Sequence, residues 1–169
     1  MSIFNPGWFV IYTRPRHEKK VEDQLKENEI KSFCPVKNEI RTWSDRKKVV
    51  QTPLFPSYIF VYIQKMEEYF TTASLEGVIY FLKSGKEVSR IDEKIINNIQ
   101  QLVNFGDDLN VVDNRFARGQ KLLIQKGPLT GKYCDFVEIN GSKMAVVYLE
   151  ILQRSITATL PPDYFLVAD

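Results

Sequence analysis

Histidine and cysteine are almost absent from this chain: one histidine, His17, and two cysteines, Cys34 and Cys134, are spread over 169 residues. A usual zinc set needs four Cys/His ligands, so no structural metal is expected. A nucleophile beside a general base is equally hard to build, because His17 stands in the charged, turn-like stretch Arg14-Pro15-Arg16-His17-Glu18-Lys19-Lys20. The chain therefore reads as a non-enzyme, with no catalytic residues and no cofactor. No apolar run approaches the roughly 18 residues of a membrane helix. The opening Met1-Ser2-Ile3-Phe4-Asn5-Pro6 lacks the basic and long apolar regions of a signal peptide. The expectation is a cytoplasmic protein that touches no membrane, whose cysteines are buried free thiols rather than a disulfide.

Charge of one sign is also scarce, at net +2, but it divides unevenly. Residues 1–105 carry 16 basic and 13 acidic side chains, and residues 106–169 carry 7 and 8. Within the first part, Arg14 to Lys20 holds four basic residues against one acid, and so does Arg41-Thr42-Trp43-Ser44-Asp45-Arg46-Lys47-Lys48. Each is a local basic patch suited to nucleic acid, or a solvated face. An apolar fraction of 44% is that of a globular protein of one ordinary domain or two small ones.

Trp8 to Thr13 reads as a first strand ended by Arg14-Pro15, since proline cannot donate to a ladder. From Glu18 to about Asn28, Val21 and Leu25 lie four apart among charges, the mark of an amphipathic helix on a sheet. Ile30 to Ile40 is a strand region interrupted by Pro35, and Lys37 to Lys48 predicts a hairpin with a long basic tip returning through Val49 and Val50. Met66 to Leu75 predicts a short helix, Gly77 to Leu82 a strand and Ser84-Gly85 a turn. Ile95, Ile96, Ile99, Leu102 and Val103 recur at helical spacing behind Asp92, an N-cap candidate. Residues 1–105 thus predict an α+β sandwich. Beyond a linker at 106–116, short β segments at 121–125, 134–140, 143–152, 155–160 and 164–167, with Asn140-Gly141 as a tight turn, predict a small closing barrel over 117–169.

Pro53-Leu54-Phe55-Pro56-Ser57-Tyr58-Ile59-Phe60-Val61-Tyr62-Ile63 stands out, and reads as one continuous strand. Nearly every side chain from Tyr58 to Ile63 is apolar, so both faces need a cover. Ile59 and Val61 are assigned to the domain core. Tyr58, Phe60 and Tyr62, at period two, face either more of this chain or a partner.

These residues resemble the NusG-like transcription elongation factors. The likeness rests on Trp8 opening the first strand, Glu18 to Leu25 on the first helix, the Pro-Leu-Phe-Pro-x-Tyr-x-Phe-Val block at 53–61, and Gly77-Val78 to Phe81. Lys126-Gly127-Pro128-Leu129-Thr130-Gly131, followed by a strand pair, resembles a KOW module, an SH3-like small β-barrel. The Leu-Phe-Pro-Ser-Tyr-Ile-Phe-Val wording and Thr71-Thr72 look most like the specialised paralogues typified by RfaH and by the antiterminators of capsular-polysaccharide operons.

The resemblance implies a monomer that binds RNA polymerase, bridges its β′ clamp and β lobe across the DNA channel, and suppresses pausing or termination. Tyr12, Tyr58 and Phe60 match the apolar pocket positions, with Leu54, Phe55 and Phe81 as supports or as core. Thr71 and Thr72 match a threonine-rich segment on the other side of the cleft, or are an ordinary helix turn. Arg14, Arg16, Lys19, Lys20, Arg46, Lys47 and Lys48 would face nucleic acid, with His17 or Trp43 stacking on a base of the non-template DNA strand. Gly127, Pro128 and Gly131 shape the KOW loop. Leu129, Ile151 and Leu152 are either barrel core or the face that docks ribosomal protein S10 or the termination factor Rho. The alternative is an RNA-binding or ribosome-associated KOW protein, which calls for a basic barrel; residues 106–169 are net −1.

Overall fold

The computed structural model describes residues 4–105, 107–113, 121–124, 133–139, 142–159 and 165–167. The chain divides into two units, Met1–Ile96 and Asn97–Asp169.

In the first unit, β1 (Gly7–Thr13) is followed by α1 (Glu18–Glu27), then β2 (Ser32–Phe33), β3 (Val36–Thr42), β4 (Lys47–Pro53) and β5 (Tyr58–Ile63). Next come α2 (Met66–Ser74), β6 (Val78–Phe81), the short strands β7 (Lys83–Ser84), β8 (Glu87–Val88) and β9 (Arg90–Ile91), and α3 (Glu93–Phe105), which begins in the first unit and continues into the second. An antiparallel sheet runs β2-β5-β1-β6, with β9 also pairing β1. Its central strand is buried almost throughout, from Gly7 to Ile11 and again at Thr13. On one face Phe9, Ile11, Ile59, Val61, Ile63 and Phe81 form a core with Val21 and Leu25 of α1 and with Ile30. The i, i+4 spacing of Val21 and Leu25 is what presents them together to that sheet. Ile59 and Val61 are therefore core, as their alternation predicts. Asp92 starts α3, its Oδ1 accepting the Lys94 N–H at 2.9 Å.

Three local readings are corrected. The run 53–63 is not one strand: β4 ends at Pro53, and Ser57 at φ 69° turns the chain before β5. Glu18, at the start of α1 and 7% exposed, holds that turn by accepting the Ser57 N–H at 2.7 Å. Such a bond between residues 39 positions apart is invisible to local pattern. Glu18→Ala should cost about 1–3 kcal/mol in urea unfolding, because a buried N–H is left unpaired; Glu18→Gln, which keeps an acceptor, should recover most of it. Second, β3 and β4 pair in register from Val36↔Pro53 to Thr42↔Lys47, closed by Trp43 N–H to the Arg46 carbonyl at 2.8 Å. The long basic tip is a regular ribbon with a short turn.

Third, the segment read as a linker contains β10 (Asp107–Val112), which pairs antiparallel with β14 (Arg154–Thr159). The second unit also contains β11 (Lys121–Ile124), β12 (Tyr133–Ile139), β13 (Ser142–Leu149) and β15 (Phe165–Val167), in the order β10-β14-β13-β12-β11-β15. Ala145, Val146, Leu149, Ile156 and Ala158 are buried in it. β13 stops at Leu149 rather than at 152, because Glu150–Leu152 forms a 3-10 turn and Gln153 takes the left-handed conformation at φ 52°. The described residues thus show a mixed α/β fold with antiparallel sheets and three α-helices.

Candidate functional site

The sheet face opposite α1 carries the cross-strand pairs Trp8↔Tyr62, Val10↔Phe60 and Tyr12↔Tyr58. Directly opposed residues of antiparallel strands project to the same side, so these six share one surface. It has three zones. At one end Trp8 and Tyr62 meet edge to face at 5.5 Å, and the Lys31 ammonium lies 5.4 and 5.8 Å from their ring centroids. In the middle Val10 and Phe60 are fully buried; Phe60 stacks on Phe33 at 6.0 Å and meets the edge of Phe55 at 6.1 Å.

At the other end three tyrosines cross three strands. Tyr12 lies 5.2 Å from Tyr58 on β5 and 5.1 Å from Tyr80 on β6, the second pair stacked. Tyr80 is directly opposite Tyr12 in register and 51% exposed, while Tyr12 and Tyr58 are half-buried. Each tyrosine combines a broad apolar ring with a polar tip, and the ring contacts of Tyr12 with Tyr58 and Tyr80 restrict all three. Ile79, 49% exposed, adjoins Tyr80 in the chain.

Phe60 and Phe55 are thus wholly buried and Leu54 nearly so, and these three are core rather than a surface offered to a partner. Phe81 belongs to the opposite face, where Tyr69 of α2 stacks on it at 4.4 Å. Thr72 is fully buried with its hydroxyl unpaired, while Thr71 is half-buried and its carbonyl accepts the Ser74 hydroxyl at 2.8 Å. Tyr80 is the residue that sequence reasoning missed. It sits in a run legible as a strand, but only the β1–β6 register aligns it with Tyr12.

Arg14, Arg16, Lys19 and Lys20 are exposed beside a half-buried His17, whose Nδ1 lies 3.1 Å from the Pro15 carbonyl. Lys20 is engaged by Glu76 at 2.7 Å, and its hydrogen bond holds that carboxyl below the usual range. On the ribbon, Arg46, Lys47 and Lys48 are exposed and the Arg46 guanidinium lies 5.4 Å from the Trp43 ring centroid. Cys34 is a free thiol whose pKa burial pushes up to about 12, with the Glu22 and Glu18 carboxylates adding to the shift, so it is a poor nucleophile at neutral pH. Ile151 and Leu152 are half-buried in the 3-10 turn. Gly127, Pro128, Leu129 and Gly131 lie outside the described residues. Among the described residues there is no His/Cys/Asp/Glu cluster able to hold a metal, and no helix is long and apolar enough to cross a membrane.

The family model described as "Transcription termination factor nusG" matches residues 6–100, which span the whole aromatic face. The chain belongs to the NusG family. It is 30% identical over 154 residues to the transcription termination/antitermination protein NusG of Lactococcus lactis subsp. lactis, covering 85% of this chain and 83% of that one. The NusG of Streptococcus pyogenes serotype M1 is 24% identical over 158 residues, covering 87% and 88%. Among solved structures, that of domain interaction in Thermotoga maritima NusG matches with a TM-score of 0.51 at 22% identity, over 98% of each chain, a likeness of fold alone.

Proposed function

We propose that this chain is a specialised NusG-type elongation and antitermination factor. It binds RNA polymerase through its first unit, reaches across the DNA channel from the β′ clamp towards the β lobe, and suppresses pausing or termination. The observation that carries this reading is the row Tyr58–Tyr12–Tyr80, three partly exposed rings in mutual contact at one end of the sheet face, with Tyr12 stacked on Tyr80. Rigid aromatics lose little freedom on docking, which makes such clusters effective binding anchors. The Lactococcus and Streptococcus relatives are transcription termination/antitermination proteins, which supports the same process.

Thr71 is the residue of the threonine pair with exposed surface for the second side of the cleft. The exposed Arg14, Arg16 and Lys19, with His17, suit the non-template strand, and the cations of the β3–β4 ribbon suit nucleic acid near the channel. The second unit acts as a KOW-like barrel that recruits ribosomal protein S10 or Rho through residues 126–131 and the 3-10 turn carrying Ile151 and Leu152. The chain makes and breaks no covalent bond.

The test is capture of core RNA polymerase by the full chain and by Tyr12→Ala/Tyr80→Ala, with folding of the variant checked by circular dichroism. Retention should fall at least about tenfold, since aromatic anchors of this kind contribute about 2 kcal/mol or more each. Equal retention of the two folded proteins removes the reading.

A further inference from the structure

The β3–β4 ribbon has one face that no described residue covers. Register and alternation put three cross-strand pairs on it: Asn38 opposite Gln51, Ile40 opposite Val49, and Thr42 opposite Lys47. All six residues are exposed, Ile40 at 72% and Val49 at 60%. Among the described residues neither the Asn38 nor the Gln51 carboxamide has a hydrogen-bond partner. The reverse face differs. There Lys37 pairs with Glu39 at 2.9 Å, and the Thr52 hydroxyl donates to Glu39 at 3.1 Å. Further out on the reverse face, Arg41 stands directly opposite Lys48, a like-charge pair that opposes strand pairing. From Ile40 to Val49 four cations face a single acid, Asp45.

We propose that this ribbon enters the major groove of double-stranded DNA and reads A·T base pairs with the Asn38/Gln51 face, while Arg41, Arg46, Lys47 and Lys48 hold the flanking phosphates. The proposal rests on the nucleic-acid reading of the ribbon given above and not on the polymerase contact. The chemistry of the face matches that of the groove. Asparagine and glutamine carboxamides make paired hydrogen bonds to N6 and N7 of adenine, and branched aliphatic side chains pack on the thymine methyl. Successive pairs on one ribbon face lie about 6.8 Å apart, which is about two base-pair steps. A two-stranded ribbon fits a groove about 12 Å wide. Arg41 lies on one strand of the ribbon and Lys47 and Lys48 on the other, so the charges can meet both phosphate walls. A single strand offers one wall, and its bases are held by stacking on rings; this face has none, and the ring of Trp43 in the turn is already paired with Arg46.

Fluorescence anisotropy of the full chain, without polymerase, tests this on equal-length duplexes built on AA/TT steps or on G·C pairs alone, and on the single strand of the first. The AA/TT duplex should bind about tenfold more tightly than either competitor. Adenine lacking N7 should erase that advantage, because it alters the major groove and leaves base pairing intact. Asn38→Ala/Gln51→Ala should erase it too, with the salt dependence unchanged. Arg41→Ala/Lys48→Ala should weaken both duplexes alike and lower the slope of log affinity against log salt by about two. Tyr12→Ala/Tyr80→Ala should change none of these, so a failed polymerase contact is distinguished from a failed groove contact. Equal affinity for the two duplexes, tighter binding of the single strand, or an AA/TT advantage that survives either the altered adenine or the Asn38→Ala/Gln51→Ala change overturns the proposal.

Discussion

Gly77→Ala should lower the melting temperature of the first unit by roughly 10–20 °C, followed by circular dichroism on the full chain. Two independent causes add. Gly77 has φ 100°, a conformation that costs a residue with a Cβ about 1–2 kcal/mol. The added carbon would also stand 3.1 Å from Val21 Cγ2 and 3.2 Å from Cβ and Cδ2 of His17. Val21 is fully buried in the α1 contact and has little freedom to withdraw. Overpacking of this kind costs about 1–3 kcal/mol. The Gly77 carbonyl accepts the Arg14 N–H at 2.8 Å, so a backbone shift to relieve the clash would disturb the end of β1. Gly85 is the control. It has φ 64° but nothing within 4 Å of its added Cβ, so Gly85→Ala carries the backbone cost alone. Equal shifts for the two variants would remove the packing half of this account.

Phe60→Ala should cost about 3–5 kcal/mol in urea unfolding, the usual loss for a buried ring that leaves a cavity. Phe33 and Phe55 line that cavity, and both come from segments outside β5. Tyr80→Ala should cost under about 1 kcal/mol, since half of its surface is already in water. Polymerase capture should rank the variants the other way when measured well below their melting temperatures: folded Phe60→Ala retains it and Tyr80→Ala loses it. A folded Phe60→Ala protein that cannot capture polymerase would return Phe60 to the contact surface.

Much of the fold was legible because its signals are local. The 3.6-residue spacing of Val21 and Leu25 and the Asp92 cap place α1 and α3 within a residue or two of their observed ends. The strands β1, β6, β12 and β14 follow from apolar runs bounded by Pro, Gly or Asn. Where the reading failed, the deciding contact was distant. The break between β4 and β5 depends on Glu18 reaching Ser57. The long basic tip became a ribbon because Val36 to Thr42 pairs throughout with Lys47 to Pro53, although Lys37 to Lys48 is mostly polar. Strand β10 reads as a polar connector, and only its pairing with β14 makes it a strand.

The candidate site shows the same division. By itself the sequence determined that metal, cofactor and nucleophilic chemistry have few residues to draw on. It also determined that Tyr58, Phe60 and Tyr62 share a face apart from Ile59 and Val61, because a strand alternates with period two. Only the tertiary structure decided which of those aromatics reach solvent. Alternation assigns a side chain to a side of the sheet, but its cover comes from elsewhere in the chain. Phe33 and Phe55 close over Phe60, and among the described residues no equivalent lid covers Tyr80, which is 51% exposed. The proposed aromatic contact surface is therefore Tyr12, Tyr58 and Tyr80, a row assembled from three strands by register.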